Sequence, residues 1–389
     1  MKHPSTRSPR LLAALALAGA ASLALTACGG GAAGPGGSTS GAPSGGSSSS
    51  PSSSADAGGG GGDPIAVTLI TKTSTNPFFI AMQKGAEEAG KANNVTITTA
   101  AGKEDGDEAT QITAIEAAVV RGDAGILITP ATDGVNKAME DARAAGLYVI
   151  ALDTPPNPAD TVDITFATDN FKAGELIGKW ASTTLAGKPA KIALLDLFND
   201  KVASVDYNRD QGFLTGMGID TVDKMKNGDE AKTGKYTGGK GGDYSIACNE
   251  PTNGAQDKGR TAMETCLAKT KDINLVYTIN EPAAAGAAEA LDAAGIKDAT
   301  IVSVDGGCNP GIASVKSGVI GATSQQYPLK MAQLGVEAIA KFKKDGTKPE
   351  VTPGLDFFDT GVALVTDKPA EGVKSIDTAA AEALCWGDK

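Results

Sequence analysis

Residues 65–79 read IAVTLITKTSTNPFF, and this stretch shows a pattern that the rest of the chain repeats. It opens with a short β-rich run, passes through a polar segment and ends in an Asn-Pro-Phe-Phe sequence that starts an apolar-periodic helix. Three later strands also end in polar residues, namely YVIALD at 148–153, LVYTINE at 275–281 and TIVSVD at 300–305. Strands that alternate with helices of about 10–15 residues predict parallel sheets with right-handed crossovers.

The repeated alternation continues over residues 63–389, a length that suits two lobes better than one core. The predicted fold class is therefore α/β, with two doubly wound parallel-sheet lobes. Two segments depart from this alternation of strands and helices. Residues 237–260 are expected to form an extra Gly-rich loop that carries Cys248, and Val319 to Thr323 is expected to be a short strand.

The first 62 residues predict export and attachment rather than a folded domain. A positive n-region precedes a short Leu- and Ala-rich run with the proportions of a signal-peptide h-region. The run ends in LTAC at 25–28, which resembles the bacterial lipobox, so residues 1–28 are predicted to be a lipoprotein signal peptide with Cys28 lipidated. An ordinary signal peptide with a chance cysteine is the alternative. Residues 29–62 are almost wholly Gly, Ser, Ala and Pro, which predicts a disordered tether.

Composition excludes several classes of function. The net charge is −11 and no basic cluster follows the signal peptide, which argues against nucleic acid or an anionic lipid surface as partner. The single histidine is His3, inside the predicted signal peptide, so the mature chain has no His-based triad, general base or metal ligand. With no phosphate-binding loop either, we expect no enzyme, cofactor or metal. The acidic run 104–108 lacks calcium-loop spacing and is interpreted as a solvated loop.

Four cysteines remain in the mature chain: Cys248, Cys266, Cys308 and Cys385. Their spacing lacks the paired CxxC of a zinc site, and an even count in an exported chain favours two disulfides. Three connectivities are possible. We favour Cys248–Cys266, which is local, with Cys308–Cys385, which would pin the C-terminal tail. Free buried thiols are the alternative.

Polar side chains and two phenylalanines follow the predicted strands, where doubly wound sheets bind their ligands. This placement indicates a small-molecule site. The residues that follow strands in this way are Asn76, Phe78, Phe79, Asp153, Asn280, Glu281, Asp305, Gln325 and Gln326.

In this order and spacing the motifs resemble those of the periplasmic sugar-binding proteins of the ribose, galactose and fructose type, which serve ATP-driven importers. Within that group the chain is most similar to the fructose type. The resemblance implies the type I periplasmic-binding-protein fold, with a three-segment hinge near residues 167–168, 326–327 and 357–360. The motifs are NPFF at 76–79, Asp153, ATDN at 167–170, RDQGF at 209–213, TINE at 278–281, VDG at 304–306 and QYP at 326–328.

The implied lobes are residues 63–167 with 327–358, and residues 168–326 with 359–389. The resemblance further implies that Phe78 and Phe79 contact the apolar side of a sugar ring, with a second aromatic face from the other lobe. Sugar hydroxyls would be bound through hydrogen bonds. Carboxylates would accept these bonds, a guanidinium would donate them, and side-chain amides would do both. The residues implied for this role are Asn76, Asp153, Arg209, Asn280, Asp305 and Gln326, with Lys72 as an added donor.

Each of these residues also has a structural interpretation. The phenylalanines suit a core, as does Trp180, and the Asp and Asn residues suit helix caps or turns. Arg209 suits a surface ion pair, and Gln326 suits the start of a turn. One departure from the family pattern is Thr154, which stands where ribose binders usually carry arginine and so disfavours ribose.

The predicted function is capture of a monosaccharide, with fructose favoured, for an ABC permease and its ATPase. The protein is expected to be a monomer, lipid-anchored to the outer face of the cytoplasmic membrane. One alternative is a sugar-sensing protein that feeds a membrane receptor. A second is an exported enzyme that uses Asp153 and Asp305 as a carboxylate pair. A transcription factor is disfavoured, because a signal peptide and tether stand where a DNA-binding domain would lie.

Overall fold

The computed structural model describes residues 63–388, so the predictions for the signal peptide, Cys28 and the tether lie outside the described residues. The strands are β1 (Ile65–Thr71), β2 (Val95–Ala101), β3 (Gly125–Ile128), β4 (Tyr148–Leu152), β5 (Ile164–Ala167), β6 (Ala190–Asp196), β7 (Thr233–Tyr236), β8 (Gly242–Pro251), β9 (Leu275–Thr278), β10 (Thr300–Asp305), β11 (Ile320–Gln325), β12 (Phe358–Asp359) and β13 (Ala363–Val365). The helices are α1 (Pro77–Ala92), α2 (Glu108–Arg121), α3 (Asn136–Ala144), α4 (Asn170–Leu185), α5 (Ser204–Met217), α6 (Gln256–Lys269), α7 (Glu281–Ala293), α8 (Ala313–Ser317), α9 (Pro328–Asp345) and α10 (Thr378–Ala381).

Two sheets organise these elements. The first has the order β12-β5-β4-β3-β1-β2, with parallel neighbours throughout. The second has the order β13-β11-β10-β9-β6-β8-β7, parallel at its centre and antiparallel at the β13 and β7 edges. The predicted α/β architecture of two doubly wound sheets is confirmed. We call the parts built on these sheets the first lobe and the second lobe.

The central strands of each sheet are buried on both faces, as strands of parallel sheets covered by helices must be. In β4, Ile150 and Leu152 join one core cluster of the first lobe, while Val149 and Ala151 join the other. The second sheet likewise separates two clusters of its lobe. Period-two alternation therefore sends apolar side chains to both sides, which explains why these strands are continuously apolar in sequence.

The chain passes between the two sheets three times. It leaves the first sheet after Ala167, returns after Gln325 to form α9 against the first sheet, and passes from β12 to β13. Two of these crossings are bonded side by side: Thr360 N donates to Ala167 O at 2.8 Å, and Thr168 Oγ1 donates to Gly361 O at 3.1 Å. The crossings lie near the predicted hinge segments.

Two local predictions are wrong. Residues 237–260 are not an extra loop, because β8 runs through them and pairs in parallel with β6, from Ala190 opposite Tyr244 to Asp196 opposite Pro251. The glycine-rich sequence before β8 and its half-exposed position near the sheet edge hide the strand pattern. The strand expected at 319–323 extends to Gln325, so that Gln325 belongs to β11 and only Gln326 follows it.

The favoured cysteine pairing is confirmed. Cys248 in β8 is bonded to Cys266 in α6, with their Cα atoms 5.5 Å apart, and Cys308 is bonded to Cys385 with Cα atoms 5.0 Å apart. The second disulfide holds the C-terminal tail against the segment after β10. Within residues 63–388, no helix combines the length and apolarity that a membrane span needs.

Helices α4 and α5 approach closely through interlocking glycines. A Cβ atom at Gly178 of α4 would lie 2.2 Å from Phe213 O, and one at Gly212 of α5 would lie 2.1 Å from Phe171 O. Real Cβ atoms do not come this near to backbone oxygens, so only glycine permits this spacing. Because α5 carries Arg209, the spacing also fixes where that side chain lies.

We therefore expect Gly178→Ala to lower the free energy of unfolding by about 1–3 kcal/mol, because the added methyl forces the helices apart. Chemical denaturation of residues 63–389 measures this change. Thr184→Ala, on the exposed side of the same helix, is the control and should change stability by less than about 0.5 kcal/mol. Equal stability of the two variants would contradict the close-packing argument.

Candidate functional site

The carboxyl ends of strands from both lobes meet around a small cavity of about 30 Å³. Of the predicted sugar contacts, all but Gln326 line it, together with one acid and three aliphatic residues that the sequence analysis did not single out. The lining residues are Lys72, Asn76, Phe78, Phe79, Asp105, Asp153, Leu197, Val205, Arg209, Ile279, Asn280 and Asp305.

Four buried charges form the centre of the cavity. The Arg209 guanidinium lies between two carboxylates, 3.7 Å from Asp153 Oδ1 in the first lobe and 3.7 Å from Asp305 Oδ1 in the second. Lys72 Nζ lies 3.7 Å from Asp153 Oδ2, and all four side chains are at most 6% exposed. These distances exceed those of a hydrogen bond, and Asp153 Oδ1 has no hydrogen-bond partner. The charges are therefore paired while part of their hydrogen-bonding capacity remains unused.

Arg209 is fixed from behind by hydrogen bonds to three elements. Its Nε donates to Asn170 Oδ1 at 2.8 Å, its Nη1 donates to Ile279 O at 2.8 Å and its Nη2 donates to Gln326 Oε1 at 3.3 Å. Gln326 Nε2 also donates to Asn170 Oδ1 at 3.0 Å. The structure thus places Gln326 behind the guanidinium, where it orients Arg209 instead of lining the cavity. Its position directly after β11, fully buried, accounts for this role.

Asp153 leaves β4 in a left-handed conformation, with φ +65°. A non-glycine residue adopts such a conformation at an energetic cost, and residues of this kind concentrate at functional sites. The neighbouring Thr154, buried beside it, donates its Oγ1 hydrogen to Asp153 Oδ2 at 2.8 Å. Thr154 therefore orients this carboxylate.

Asp305 has a similarly unfavourable backbone, with φ +142°, at the end of β10. Glu281 holds the loop that follows, because it accepts hydrogen bonds from Gly306 N at 2.8 Å, Gly307 N at 3.1 Å and Thr323 Oγ1 at 2.8 Å. Burial raises the pKa of Glu281 to about 7 despite these bonds. Burial also raises the pKa of Asp305 well above its usual range, and the Arg209 guanidinium opposes that shift.

The two predicted asparagines cap helices while they line the cavity. Asn76 Oδ1 accepts from Phe78 N at 2.9 Å and so begins α1. Asn280 Oδ1 accepts from Ala283 N at 3.0 Å, and its Nδ2 donates to Gly254 O at 3.0 Å. Both sides of the Asn280 amide are therefore engaged within the protein, so the capping interpretation holds together with the lining position.

Phe78 and Phe79 supply an aromatic wall and also belong to the core of the first lobe. Their rings meet edge to face, with centroids 5.5 Å apart and planes at 89°. The second lobe does not present an aromatic face among the described residues that line the cavity. It contributes Leu197, Val205 and Ile279, so the expectation of a second aromatic face is wrong. Trp180 is buried in the core of the second lobe, as expected.

Trp386 supports the aromatic wall from behind, a contact that the sequence analysis missed. Its ring lies edge to face with Phe78, with centroids 5.3 Å apart, and its Nε1 donates to Gln326 O at 3.0 Å. Cys308 N donates to Trp386 O at 2.8 Å, next to the disulfide that anchors the tail. The proposed pinning of the tail was the available signal, because Trp386 directly follows Cys385.

Asp105 is a cavity residue that the sequence analysis assigned to a solvated loop, and for this residue that assignment is wrong. Its side chain is buried, it lines the cavity and its Oδ1 has no hydrogen-bond partner. Burial raises the pKa of Asp105 to about 6, and Lys72 opposes this shift. Its place after β2 was the signal, because the other acids of the cavity also follow strands.

Comparison with known proteins is consistent with this arrangement. The family model for the periplasmic binding protein domain matches residues 65–348. The ribose import binding protein RbsB of Bacillus subtilis is 27% identical over 70% of this chain and 79% of its own length. The galactofuranose-binding protein YtfQ of Escherichia coli is 28% identical over 74% of this chain and 85% of its own length. The crystal structure of an ABC transporter solute-binding protein from Agrobacterium vitis with bound D-fucose has a TM-score of 0.67 and 25% identity, covering 82% of this chain and all of that one.

The raised pKa of Asp105 predicts a pH effect on stability in the unliganded protein. The native state keeps the proton up to about pH 6, whereas the unfolded chain loses it near the ordinary value of 3.8. The stability that Asp105 contributes is therefore present at low pH and is lost as pH rises through this window. As the pH rises from 4 to 7, the unfolding free energy of Asp105→Asn should therefore increase by about 1–3 kcal/mol relative to that of wild type.

Denaturant titrations of both proteins at the two pH values measure this difference. Asp107→Asn is the control, since hydrogen bonds from Thr110 and Lys103 lower the pKa of Asp107 to about 2. Its difference from wild type should stay nearly constant from pH 4 to pH 7. A constant difference for Asp105→Asn as well would show that Asp105 is solvated.

Proposed function

This chain belongs to the periplasmic binding protein domain family, and on that premise we propose that it captures a monosaccharide between its lobes for an ABC importer. It is a binding protein and not an enzyme, in line with relatives that are named as import binding proteins. The observation that carries the proposal is the buried set of Asp153, Arg209 and Asp305, whose charges lie beyond hydrogen-bond distance from one another.

Sugar hydroxyls suit this set because each hydroxyl both donates and accepts. Asp105, Asp153 and Asp305 accept, Arg209 and Lys72 donate, and the two phenylalanines offer an apolar wall to C–H groups. A hydroxyl placed between two of these charges completes bonds that they cannot make to each other. An analogue without that hydroxyl leaves a buried charge unpaired, at a cost of about 1–3 kcal/mol or more.

Within this class we favour fructose, on the resemblance to fructose-type binding proteins. Thr154 supports a departure from ribose, because it replaces the arginine usual in ribose binders and turns its hydroxyl toward Asp153. Lys72 adds a cation on the other side of the same carboxylate. Ribose and galactofuranose, the sugars in the names of two relatives, are the nearest competitors.

Capture is proposed to occur by closure of the lobes about the three crossings, with lobe boundaries at residues 167–168, 326–327 and 358–359. Contacts outside the cavity support a closed arrangement in this structure. Lys201 Nζ of the second lobe donates to Gly106 O of the first at 2.7 Å, and Ser204 Oγ donates to Pro155 O at 2.5 Å. A bound sugar shifts the population toward this closed form, which is the shape that a permease would recognise.

The protein is proposed to act outside the cytoplasmic membrane as a monomer, attached through lipid on Cys28. Retention in the detergent phase that is lost in Cys28→Ala would support the anchor. Output to a sugar-sensing receptor is the alternative, and importer genes beside this one would favour transport.

The first test is a thermal-unfolding screen of residues 63–389 against pentoses, hexoses, inositols and amino acids. A ligand at 100 times its dissociation constant stabilises by about 2.7 kcal/mol, which gives a clear shift in melting temperature. A shift with one or two monosaccharides is expected, with fructose the largest. A response to amino acids alone would overturn the sugar proposal.

Asp305→Ala should weaken binding of that sugar at least a hundredfold, because the hydroxyl acceptor is lost and Arg209 loses one of its two buried carboxylate partners. The unliganded variant should remain folded, since the substitution also removes a buried carboxylate. Calorimetric titration and circular dichroism measure the two properties. Asp292→Asn, on an exposed acid, is the control and should bind like wild type. Unchanged affinity of Asp305→Ala would remove this residue from the site.

Trp386 should report binding through its fluorescence, because its ring contacts Phe78 while Trp180 lies in the core of the second lobe. We expect a sugar-dependent change in emission that Trp386→Phe abolishes and Trp180→Phe retains. A change that disappears only in Trp180→Phe would contradict the placement of Trp386 behind the aromatic wall.

A further inference from the structure

The C-terminal tail, residues 385–388, contacts both lobes although it is not one of the three crossings. Two consecutive residues of this tail belong to the cores of different lobes. Cys385 packs in a small cluster of the second lobe with Ile312. Trp386 belongs to the core cluster of the first lobe that contains Phe78. The tail therefore links the lobes a fourth time, through side-chain contacts with the first lobe.

The second lobe holds this tail both covalently and through hydrogen bonds. The Cys308–Cys385 disulfide fixes it to the segment that follows β10. On the same segment, Cys308 N donates to Trp386 O at 2.8 Å, and Asn309 Nδ2 donates to Asp388 O at 3.3 Å. The tail is thus fixed to the second lobe before and after Trp386, which limits how far the indole can move.

The indole ring of Trp386 contacts both lobes. It meets the Phe78 ring of the first lobe edge to face, with centroids 5.3 Å apart. It also lies against Gly307 of the second lobe, where a Cβ atom would be only 3.2 Å from the indole. Since Gly307 is two residues after Asp305, the ring joins the aromatic wall to the loop that follows this carboxylate.

The indole nitrogen of Trp386 is bonded to one of the crossings. The side chain is only 5% exposed, and its Nε1 donates to Gln326 O at 3.0 Å. Gln326 in turn accepts from Arg209 Nη2 at 3.3 Å through its side chain, and its backbone nitrogen donates to Asp305 O at 2.8 Å. Trp386 therefore holds the backbone of the residue that orients the guanidinium and contacts the end of β10.

We propose that Trp386 is a positioning residue for the sugar, and that residues 385–388 form a disulfide-anchored bridge that holds the lobes in the sugar-binding arrangement. This inference rests on the proposed function, because it concerns the same cavity. Without the bridge, Phe78 loses its contact with the tail and Gln326 loses a backbone hydrogen bond. Groups that are no longer held in place lose more freedom when a ligand binds, so sugar affinity falls although no sugar contact has been removed.

The anchoring of Trp386 can be measured without sugar, by hydrogen exchange of the two indole groups of residues 63–389. Trp180 is the internal reference, because its Nε1 donates to Lys368 O at 2.8 Å within the second lobe. In Cys308→Ser/Cys385→Ser, exchange at Trp386 should accelerate by about tenfold or more, with Trp180 unchanged. Cys248→Ser/Cys266→Ser, which removes the other disulfide, is the matched control and should leave Trp386 protected. Equal exchange at Trp386 in both double variants would overturn the anchoring.

The positioning role is measured by calorimetric titration with fructose, or with the monosaccharide that replaces it in the thermal screen. Trp386→Ala should weaken binding by about tenfold or more, because it removes an aromatic contact and a buried hydrogen bond. Trp386→Phe should restore part of the affinity, since it keeps a ring beside Phe78. Trp180→Phe, in the core of the second lobe, is the control and should bind like wild type.

A double-mutant cycle separates positioning from general destabilisation. Because Trp386 acts through Gln326, Trp386→Ala should weaken binding by a smaller factor in a Gln326→Ala background than in wild type. Equal factors in the two backgrounds, or wild-type affinity of Trp386→Ala, would overturn the positioning role and leave the proposed function standing. Failure of the wild-type protein to bind any monosaccharide would overturn the proposed function, and the positioning role with it.

Discussion

The buried guanidinium of Arg209 is the constraint on which the rest of the site depends. A charge removed from water must be paired, and here the two carboxylates that pair it come from different lobes. Asp153 and Asp305 reach it only when the carboxyl ends of both sheets face each other. The glycine contacts between α4 and α5, and the amides of Asn170 and Gln326 behind the guanidinium, serve that arrangement.

The same constraint explains why the site is rigid and yet has unused hydrogen-bonding capacity. Asp153 and Asp305 both have strained backbones, and each has a neighbour that holds it in place. Thr154 donates a hydrogen bond to the Asp153 carboxylate, and Glu281 accepts one from the loop that follows Asp305. Preorganised groups of this kind lose little freedom when a ligand arrives. The hydroxyls of a sugar therefore meet charges that are already oriented, and discrimination follows from the penalty for leaving any of them unpaired.

Sequence reasoning identified those features that depend on local pattern. Apolar strands are followed directly by Asp153, Asn280 and Asp305. Ligands of doubly wound sheets bind at the carboxyl ends of the strands, which is where these residues lie. Features that depend on distant contacts were misjudged. Asp105 lies in an acidic run that looks solvated, and Gln326 contacts Arg209 instead of lining the cavity.

The remaining misses share this cause. Strand β8 is a half-buried strand near the sheet edge, with polar and small residues, so only its pairing with β6 and its disulfide reveal it. Trp386 reaches the aromatic wall through a covalent link between residues 77 positions apart in sequence.

A monosaccharide is proposed to bind between the two lobes against Arg209 and its two carboxylates. A crystal structure of residues 63–389 with the most stabilising sugar tests it most directly. We expect one sugar ring beside Phe78, with hydroxyls within hydrogen-bond distance of Asp153, Arg209 and Asp305. A sugar bound outside this cavity, with the three charges in contact only with one another, would contradict it.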